Sequence, residues 1–378
     1  MNFFTKRKIV FLTGTRADFG KLKSLMVMLQ EDDQFEVNVF VTGMHMLSKY
    51  GATWEEVLKA GLTNRYHFIN QNENDSMDHI LAKTVSGFSD YVKEARPDLI
   101  VVHGDRLEAL AGAIVGAFNN IRVAHIEGGE ISGTIDEIIR HSVSKMSHLH
   151  FVANESARRR LLQLGEHEEA IHVIGSPDID LMNSDALPSL REVENYYELP
   201  FSEYGILIFH PVTTERDQVL SQTSVVIDAV LASGENFVVL FPNNDPGSDV
   251  ILREYERFQG VDRIALFPSM RFEYFLTLLK NARFILGNSS AGVREAPHYG
   301  IPTINLGSRQ LNRVFTPSVI NVPLSKDRIT EAISQALTQS IEPVELFGSG
   351  NSSKEFQRVL MDPKTWAIDI QKYFNDYI

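Results

Sequence analysis

Acidic side chains at the ends of apolar runs are the residues of this sequence most able to do chemistry. Asp105 follows "LIVVHG", Glu127 ends "VAHIE", and Asp136 comes a little further along. An acid that closes a buried strand needs a partner or a chemical role, because an unpaired buried charge is costly. Carboxylates that share a site separate one another's pKa values and can divide acid and base roles. The pattern therefore predicts a ligand site that contains carboxylates.

Each acid also has a structural interpretation. Asp105 can cap the helix that follows it by accepting backbone N–H hydrogen bonds, and the helix dipole favours an acid such as Asp136 in a first turn. We expect Glu130 and Glu137 to face solvent. The Gly128–Gly129 pair is interpreted as room for a ligand to approach the backbone.

Two turns are candidates for binding phosphate. "GTRADFGK" (14–21) brings Arg16 and Lys21 to the start of a helix, although it lacks the spacing of known phosphate-binding motifs and suits a solvated loop equally well. "GNSSAG" (287–292) offers small residues, hydroxyl groups, free N–H groups and the start of a helix, which together suit a diphosphate. Its predicted binding residues are Ser289, Ser290, Ala291 and Gly292, with Glu295 placed to accept ribose hydroxyl groups.

Two further polar residues follow apolar runs in the second half of the chain. His210 ends "GILIFH", where a lone histidine is more often structural than catalytic, and Asn243 lies in a turn where it can bind a ligand. The spacing of His, Asp and Glu is too loose for a metal site, so we predict no metal and no cofactor. The absence of a G-x-S-x-G motif argues against acyl hydrolysis.

The elements that position these residues alternate between strand and helix. Apolar runs typical of buried parallel strands recur six times in each half of the chain. They lie at 8–14, 37–43, 98–105, 123–129, 148–155 and 171–177, and again at 205–213, 236–244, 263–269, 283–290, 302–308 and 318–323. The alternation predicts two doubly wound, Rossmann-like α/β domains, with the site in a cleft at the carboxyl ends of their strands.

Polar and proline-rich composition between the repeats sets the predicted boundaries. The first domain covers 1–182, a linker with a short helix covers 183–204, and the second, nucleotide-binding domain covers 205–361. Residues 362–378 are predicted to form a C-terminal amphipathic helix.

Composition excludes several classes of protein. The 378 residues are 43% hydrophobic and carry a net charge of −13, which argues against a nucleic-acid partner. Because there is no cysteine, disulfides and thiolate chemistry are excluded. No run of 18 apolar residues occurs and the N-terminal segment lacks a signal-peptide core, so we expect a cytoplasmic protein with no membrane partner.

Seven motifs together resemble the hydrolysing UDP-N-acetylglucosamine 2-epimerases of bacterial sialic acid and capsule biosynthesis. They are "GTRADFGK", "HGDRLEALAGA", "HIEGGE", "DEIIRHS", "GSPDID", "FHPVTTE" and "GNSSAGVREAP", in order along the whole chain. Non-hydrolysing members of the superfamily usually carry "GTRPE" and "HRRE". Ala17, Asp18 and "HPVTTE" depart from those patterns, which favours the hydrolysing branch.

The resemblance implies a glycosyltransferase-B-like fold and a two-step reaction. UDP leaves as C2 is deprotonated, and water then adds to 2-acetamidoglucal to give N-acetylmannosamine. By resemblance the catalytic acids are Asp105, Glu127 and Asp136, and His210 stabilises the departing UDP. Arg16 and Lys21 match the basic pair that contacts phosphate, and 290–292 with Glu295 match the diphosphate and ribose contacts. Family members commonly form homodimers, and 269–279 match the segment near the base.

Other activities remain open at this point. The alternatives are an epimerase of a UDP- or GDP-linked diacetamido-trideoxy sugar, a glycosyltransferase of the same fold, and a non-enzymatic sensor of sugar nucleotides. A glycosyltransferase leaves the three carboxylates unexplained, and a sensor would tolerate Asp105→Asn.

Overall fold

The chain folds into two compact α/β units. The computed structural model describes residues 6–51, 53–72, 75–132, 135–311, 313 and 316–376. Unit 1 comprises 1–130, 136–184 and 347–378, and unit 2 comprises 131–135 and 185–346. None of the helices within these described stretches is both long and apolar enough to cross a membrane.

Unit 1 is built on a parallel sheet of seven strands, in the order β3-β2-β1-β4-β5-β6-β7. The strands are β1 (Arg7–Thr13), β2 (Phe35–Val41), β3 (Arg65–His67), β4 (Leu99–His103), β5 (Arg122–Ile126), β6 (Leu149–Val152) and β7 (Ile171–Val173). Six of them coincide with predicted apolar runs, which are confirmed. The prediction missed β3 because its three residues are exposed and polar.

Helices cover the sheet of unit 1. They are α1 (Arg16–Gln30), α2 (Glu55–Lys59), α3 (Met77–Ala95), α4 (Leu107–Phe118), α5 (Ile135–Met146), α6 (Glu155–Gln163) and α7 (Pro177–Met182). Leu22, Leu25 and Leu29 line the buried side of α1 and pack against β1 and β2 in one core. Burying each such side chain stabilises the fold by about 1.5–3 kcal/mol.

Unit 2 repeats the architecture with six parallel strands, in the order β10-β9-β8-β11-β12-β13. They are β8 (Gly205–Ile208), β9 (Phe237–Leu240), β10 (Ile264–Phe267), β11 (Phe284–Gly287), β12 (Thr303–Leu306) and β13 (Val319–Val322), and all six match predicted runs. The helices are α8 (Leu190–Tyr197), α9 (Val219–Ser233), α10 (Ser248–Tyr255), α11 (Phe272–Lys280), α12 (Glu295–His298) and α13 (Lys326–Ala336).

The C-terminal segment differs from the sequence-based boundaries. Residues from 347 onward belong to unit 1, where α14 (Ser352–Met361) buries Phe356 and Leu360 in the core, instead of continuing unit 2. The helix predicted over 362–378 is confined to α15 (Pro363–Ala367). Beyond it several contacts hold the chain, since Lys372 donates to the carbonyl of Lys145 (2.9 Å) and to the carboxylate of Glu166 (2.5 Å), and the His148 ring hydrogen-bonds the carbonyl of Ile370 (3.0 Å). The amphipathic pattern of 362–378 is therefore not accompanied by a helix in the described residues beyond Ala367.

Candidate active site

Most of the predicted residues lie at the switch points of the two sheets. In unit 1 the strand order reverses between β1 and β4, and in unit 2 between β8 and β11. Arg16 and Asp105 follow the first pair of strands, and His210 and Ser289 follow the second pair. Open α/β sheets bind ligands at the carboxyl ends of the strands beside such a reversal. Each unit therefore carries its own group of candidate residues.

Asp105 is paired with a buried arginine. Arg140 on α5 is 2% exposed and donates from Nη2 to the Asp105 carboxylate, while its Nη1 donates to the carbonyl of Glu130 (3.2 Å). Burial lowers the pKa of Arg140, but Asp105, Glu130 and Asp136 outweigh it and raise that pKa above its ordinary value. The helix α4 begins after Arg106 without a side-chain cap. The cap position of this helix is therefore Arg106, one residue after Asp105.

Glu127 is held in an unusual backbone conformation. Its φ of 63° lies in the left-handed region, which costs a residue with a Cβ about 1–2 kcal/mol. Its carboxylate, 6% exposed as a residue, accepts a hydrogen bond from the Ser176 hydroxyl and lies 3.1 Å from Nε2 of His103. His103 ends the neighbouring strand β4, whereas Ser176 lies between β7 and α7, two strands away from β5 in the sheet. The strained turn therefore delivers Glu127 to a fixed, hydrogen-bonded position.

Two expectations for the loop around Glu127 are wrong. Glu130 is buried, and Glu137 is half-buried between Arg140 (3.6 Å) and His141 (3.1 Å), so neither is a freely solvated acid. The Gly128–Gly129 pair packs against protein. A Cβ on Gly128 would lie 2.8 Å from the His125 ring, and one on Gly129 would lie 2.4 Å from a carbonyl oxygen of α6. Packing is therefore sufficient to explain this glycine pair.

Asp136 lies in the first turn of α5, where it adds to the negative charge around Arg140. The two residues before Ile135 lie outside the described part of the chain, so the capping of this helix is not assigned. Asp105, Asp136 and Arg140 therefore form one charged group within unit 1. Glu127 directly follows β5, the strand next to β4 in the sheet.

The first predicted phosphate turn holds a carboxylate of its own. Asp18 accepts from the backbone N–H groups of Gly14 (3.0 Å) and Thr15 (3.0 Å), and Thr15 caps α1 in a capping box. The chain's own carboxylate therefore satisfies these two N–H groups, while the assignment of 14–21 to phosphate stays a prediction. Lys21 pairs with Asp178 at 2.9 Å. Arg16 lies 4.0 Å from Glu56.

His210 is anchored by backbone and amide contacts in unit 2. Its N–H and carbonyl both bond the Asn288 side chain (2.7 and 2.8 Å), and its Nδ1 accepts from the backbone N–H of Asn243 (3.0 Å). Because Nδ1 accepts, neutral His210 carries its proton on Nε2 and can donate there. Asn243 Nδ2 donates to Asp245 at 2.5 Å. The backbone of Asn243 therefore orients His210, and the predicted contact of Asn243 with a ligand stays a prediction.

The second predicted phosphate turn is tighter than expected. Ser289 Oγ accepts from the N–H of Ala291 (3.3 Å), and the N–H groups of Gly292 and Arg294 donate to carbonyls of the same turn (3.2 and 3.0 Å). The expectation of a row of free N–H groups is therefore wrong. The following helix α12 is a single turn, with Glu295 3% exposed at its start. The hydroxyl groups of Ser289 and Ser290, both half-buried, are the donors that this turn offers.

Four residues around these groups escaped the sequence analysis as site residues. They are His103, Arg140, Ser176 and Asp178, of which the last two lie in the motif "GSPDID". Each of the four is the partner of a predicted residue. Each also lies in one of the seven motifs that carry the resemblance, and membership of those motifs was the signal that could have found them. Over the residues that the structure describes, no three His, Asp or Glu side chains are grouped so as to hold a metal ion.

Comparison with known proteins decides the family. The sequence profile of the family described as UDP-N-acetylglucosamine 2-epimerase matches residues 27–361. The chain belongs to this family. A UDP-N-acetylglucosamine 2-epimerase of Neisseria meningitidis serogroup B is 47% identical over 374 residues, covering 98% of this chain and 99% of that protein. The family assignment makes this chain an enzyme.

Other members of the family extend the comparison. A hydrolysing UDP-N,N'-diacetylbacillosamine 2-epimerase of Legionella pneumophila is 34% identical, covering 94% of this chain and 95% of that protein. The crystal structure of a Neisseria meningitidis UDP-GlcNAc 2-epimerase bound to UDP-GlcNAc has a TM-score of 0.77 at 21% identity and covers 94% of this chain and 99% of that chain. The shared fold, two parallel-sheet α/β domains, is the glycosyltransferase-B-like fold that the resemblance implied.

Proposed function

We propose that the protein converts UDP-N-acetylglucosamine and water into UDP and free N-acetylmannosamine, and so supplies sialic acid or capsule synthesis. The observation that carries this proposal is the 47% identical relative, which is named a UDP-N-acetylglucosamine 2-epimerase and aligns over nearly the whole chain. The three carboxylates of unit 1 suit the two proton transfers that the reaction needs.

The first step is an elimination. A carboxylate takes the proton from C2 while the C1–O bond breaks, the C1–C2 double bond forms and UDP leaves with the bonding electron pair. A general base must be ionised and held within hydrogen-bond reach of its proton. The Arg140 guanidinium bonded to Asp105 favours the ionised carboxylate. This contact supports Asp105 as one of the two groups, with Asp136, that transfer protons at C2 and at water.

The second step is hydration of 2-acetamidoglucal. A proton is delivered to C2 from the face opposite the one it left, and a water oxygen bonds to C1 as its proton is taken up. We assign Glu127 to this step or to orienting the sugar. Its contacts with His103 and Ser176 support this assignment, because they hold the carboxylate in a defined position.

The departing UDP is assigned to residues of unit 2. His210 can donate from Nε2 to a phosphate oxygen, since its Nδ1 is occupied by Asn243. Ser289 and Ser290 add hydroxyl donors, and Ala291, Gly292 and the ribose contact Glu295 complete the predicted nucleotide residues. Donors aimed at a leaving group stabilise the charge that develops there. We assign Arg16 and Lys21 of unit 1 to phosphate and to positioning the acids.

Product analysis tests the reaction. The purified protein, without added metal, is incubated with UDP-N-acetylglucosamine, and the products are separated by ion exchange and identified by NMR. We expect UDP and free N-acetylmannosamine in equal amounts. A product that remains nucleotide-linked would show the non-hydrolysing reaction and contradict the proposal.

A second substrate deserves comparison because of the Legionella pneumophila relative, which acts on UDP-N,N'-diacetylbacillosamine by its name. Parallel assays with that sugar nucleotide measure kcat/KM for each substrate. We expect the larger value with UDP-N-acetylglucosamine, in keeping with the higher identity to the Neisseria meningitidis protein. The reverse order would transfer the proposal to the diacetamido sugar.

We further propose that the enzyme works in the cytoplasm as a homodimer. The family resemblance supports the dimer, and the sugar-nucleotide substrate supports the compartment. Light scattering during size exclusion should give twice the chain mass of 42.6 kDa. A mass of one chain at assay concentration would contradict the dimer.

A further inference from the structure

Glu108 is a buried acid that the proposed reaction does not use. It lies in the first turn of α4, three residues after Asp105, and is 3% exposed. Its side chain points away from solvent and toward the turns that follow β1 and β2. Among the described residues its Oε2 atom has no hydrogen-bond partner, whereas Asn70 hydrogen-bonds its carboxyl group. A carboxyl group in such a place needs an explanation.

The carboxyl group fills the space beside two glycines. A Cβ on Gly14 would lie 2.7 Å from Cδ of Glu108, and a Cβ on Gly43 would lie 2.6 Å from its Oε1. Gly43 also has a φ of 64°, and its N–H donates to Asn70 (3.0 Å). Heavy atoms this close leave no room for a methyl group. Glu108 therefore packs directly on the backbone of both turns.

The surroundings of Glu108 favour its neutral form. Burial, the largest cause, raises the pKa of Glu108 in spite of the opposing effects of Arg106, a backbone N–H group and Asn70, and the Asp18 carboxylate on α1 adds a smaller rise. The Asn70 amide is itself fixed by a hydrogen bond to Thr84 (2.8 Å) on α3. A neutral carboxyl group can be buried here at lower cost than a charged one.

We propose that Glu108 is a positioning residue that sets the distance between Asp105 and the Arg16 turn by wedging its carboxyl group against Gly14 and Gly43. This inference rests on the proposed function, because the two positioned residues are those assigned to the sugar and its phosphate. The turns after β1 and β2 already contact each other, since the N–H of His45 donates to the carbonyl of Gly14 (3.3 Å). Glu108 adds the contact from α4, which follows β4, to both of these turns. Small displacements of reacting groups cost large factors in rate.

The test compares Glu108→Gln with Glu108→Ala. Glutamine keeps the shape of the side chain without a carboxylate charge, and alanine removes the wedge. Titration with UDP first gives the concentration of folded sites. The value of kcat is then calculated per folded site, so that partly unfolded protein does not lower it. We expect kcat of Glu108→Gln within about twofold of the parent with an unchanged pH profile, and a loss on the order of 10- to 100-fold for Glu108→Ala. Equal losses in both variants would overturn the proposal, because the acid itself would then be needed.

A double-mutant cycle with Gly14→Ala tests the contact itself. In the parent, the added methyl group should clash with the Glu108 side chain and lower kcat. In Glu108→Ala that side chain is absent, so adding Gly14→Ala should lower kcat by less than a further twofold. Losses that multiply independently would contradict the wedge. Should the parent fail to turn over UDP-N-acetylglucosamine, the proposed function fails, while the same cycle measured on the midpoint of urea unfolding still shows whether Gly14 and Glu108 are coupled.

Discussion

The guanidinium of Arg140 donates a hydrogen bond to the carboxylate of Asp105, which lies 35 residues earlier in the chain. The contact ties the start of α4 to the second turn of α5, and both helices follow strands of the same sheet. Asp105 therefore has a fixed orientation and a fixed charged partner before any substrate binds. This arrangement suits a base that must meet a weakly acidic C2–H in a defined geometry.

Replacing Asp105 by asparagine should abolish most of the activity. The amide keeps the size of the side chain but cannot take a proton, so kcat should fall by about 10²- to 10⁴-fold while the protein still folds. A coupled assay of UDP release measures the rate. Asp90→Asn is a matched control, because the same change at an exposed position of α3 (79% exposed side chain) should leave kcat unaltered. Retention of more than a tenth of the activity by Asp105→Asn would exclude Asp105 as an essential base.

Replacing Arg140 by methionine should weaken both fold and activity. The Asp105 carboxylate is a quarter exposed, so the loss in the free energy of unfolding should be near the lower end for a broken buried pair, about 3 kcal/mol. Urea unfolding followed by circular dichroism measures it. The double variant Arg140→Met/Asp105→Asn should recover part of the stability but none of the activity. If the double variant is as unstable as the single one, the charge pair is not the cause.

Glu127 offers a test of backbone strain. Glu127→Ala and Glu127→Gly both remove the carboxylate and should be equally inactive. Glycine accepts the φ of 63° without a Cβ clash, so Glu127→Gly should be the more stable of the two by about 1 kcal/mol in chemical unfolding. In an ordinary helix or strand, alanine is the more stable of the two, so the contradicting result is a Glu127→Ala variant that is more stable than Glu127→Gly. It would show that the left-handed conformation at 127 is not maintained in solution.

His210 should act through its Nε2–H group. The amide nitrogen of a glutamine side chain can take the position of Nε2, whereas that of asparagine reaches only the position of Nδ1. We therefore expect His210→Gln to keep more activity than His210→Asn. We expect a loss of about 10²- to 10³-fold in kcat for His210→Asn, as for the removal of an oxyanion donor. Steady-state kinetics with UDP-N-acetylglucosamine compares the two. Equal activity would argue against a donor role for Nε2.

Buried histidines of unit 1 predict an acid-sensitive fold. Burial lowers the pKa of His45 to about 4 and that of His125 to about 3, below the ordinary value of 6.5. The unfolded chain therefore binds more protons than the folded chain below pH 6.5, and stability is lost as the pH falls from 6.5 toward 4. Each such histidine contributes a slope of up to about 1.4 kcal/mol per pH unit. Urea unfolding at pH 7.0, 5.5 and 4.5 measures the slope, and His125→Gln should reduce it by that amount. An unchanged slope in that variant would show that His125 titrates in the folded state.

Local patterns predicted the elements well and the contacts between them poorly. Twelve apolar runs became strands because burial on both faces demands continuous apolar sequence, whereas the polar edge strand β3 carries no such signal. The positions of Asp105 and His210 followed from the rule that loops after parallel strands carry ligands. Their partners did not, because Ser176 reaches Glu127 from 49 residues away and no local pattern encodes that contact.

The two predicted phosphate turns illustrate the same limit. Sequence reveals glycines, hydroxyl groups and a helix start, but it does not reveal whether the chain itself occupies the N–H groups. Asp18 fills the first turn, and Ser289 Oγ takes one N–H group of the second. Which backbone N–H groups have partners is a property of the folded chain, so the sequence alone does not determine it.

The most direct test of the proposed chemistry follows both isotopes of water through one reaction. UDP-N-acetylglucosamine is turned over in D₂¹⁸O, the sugar is examined by NMR and the UDP by mass spectrometry. Elimination followed by hydration predicts free N-acetylmannosamine with deuterium at C2, and UDP without ¹⁸O, because the C1–O bond is the one that breaks. Protium retained at C2, or ¹⁸O in the UDP, would contradict the account.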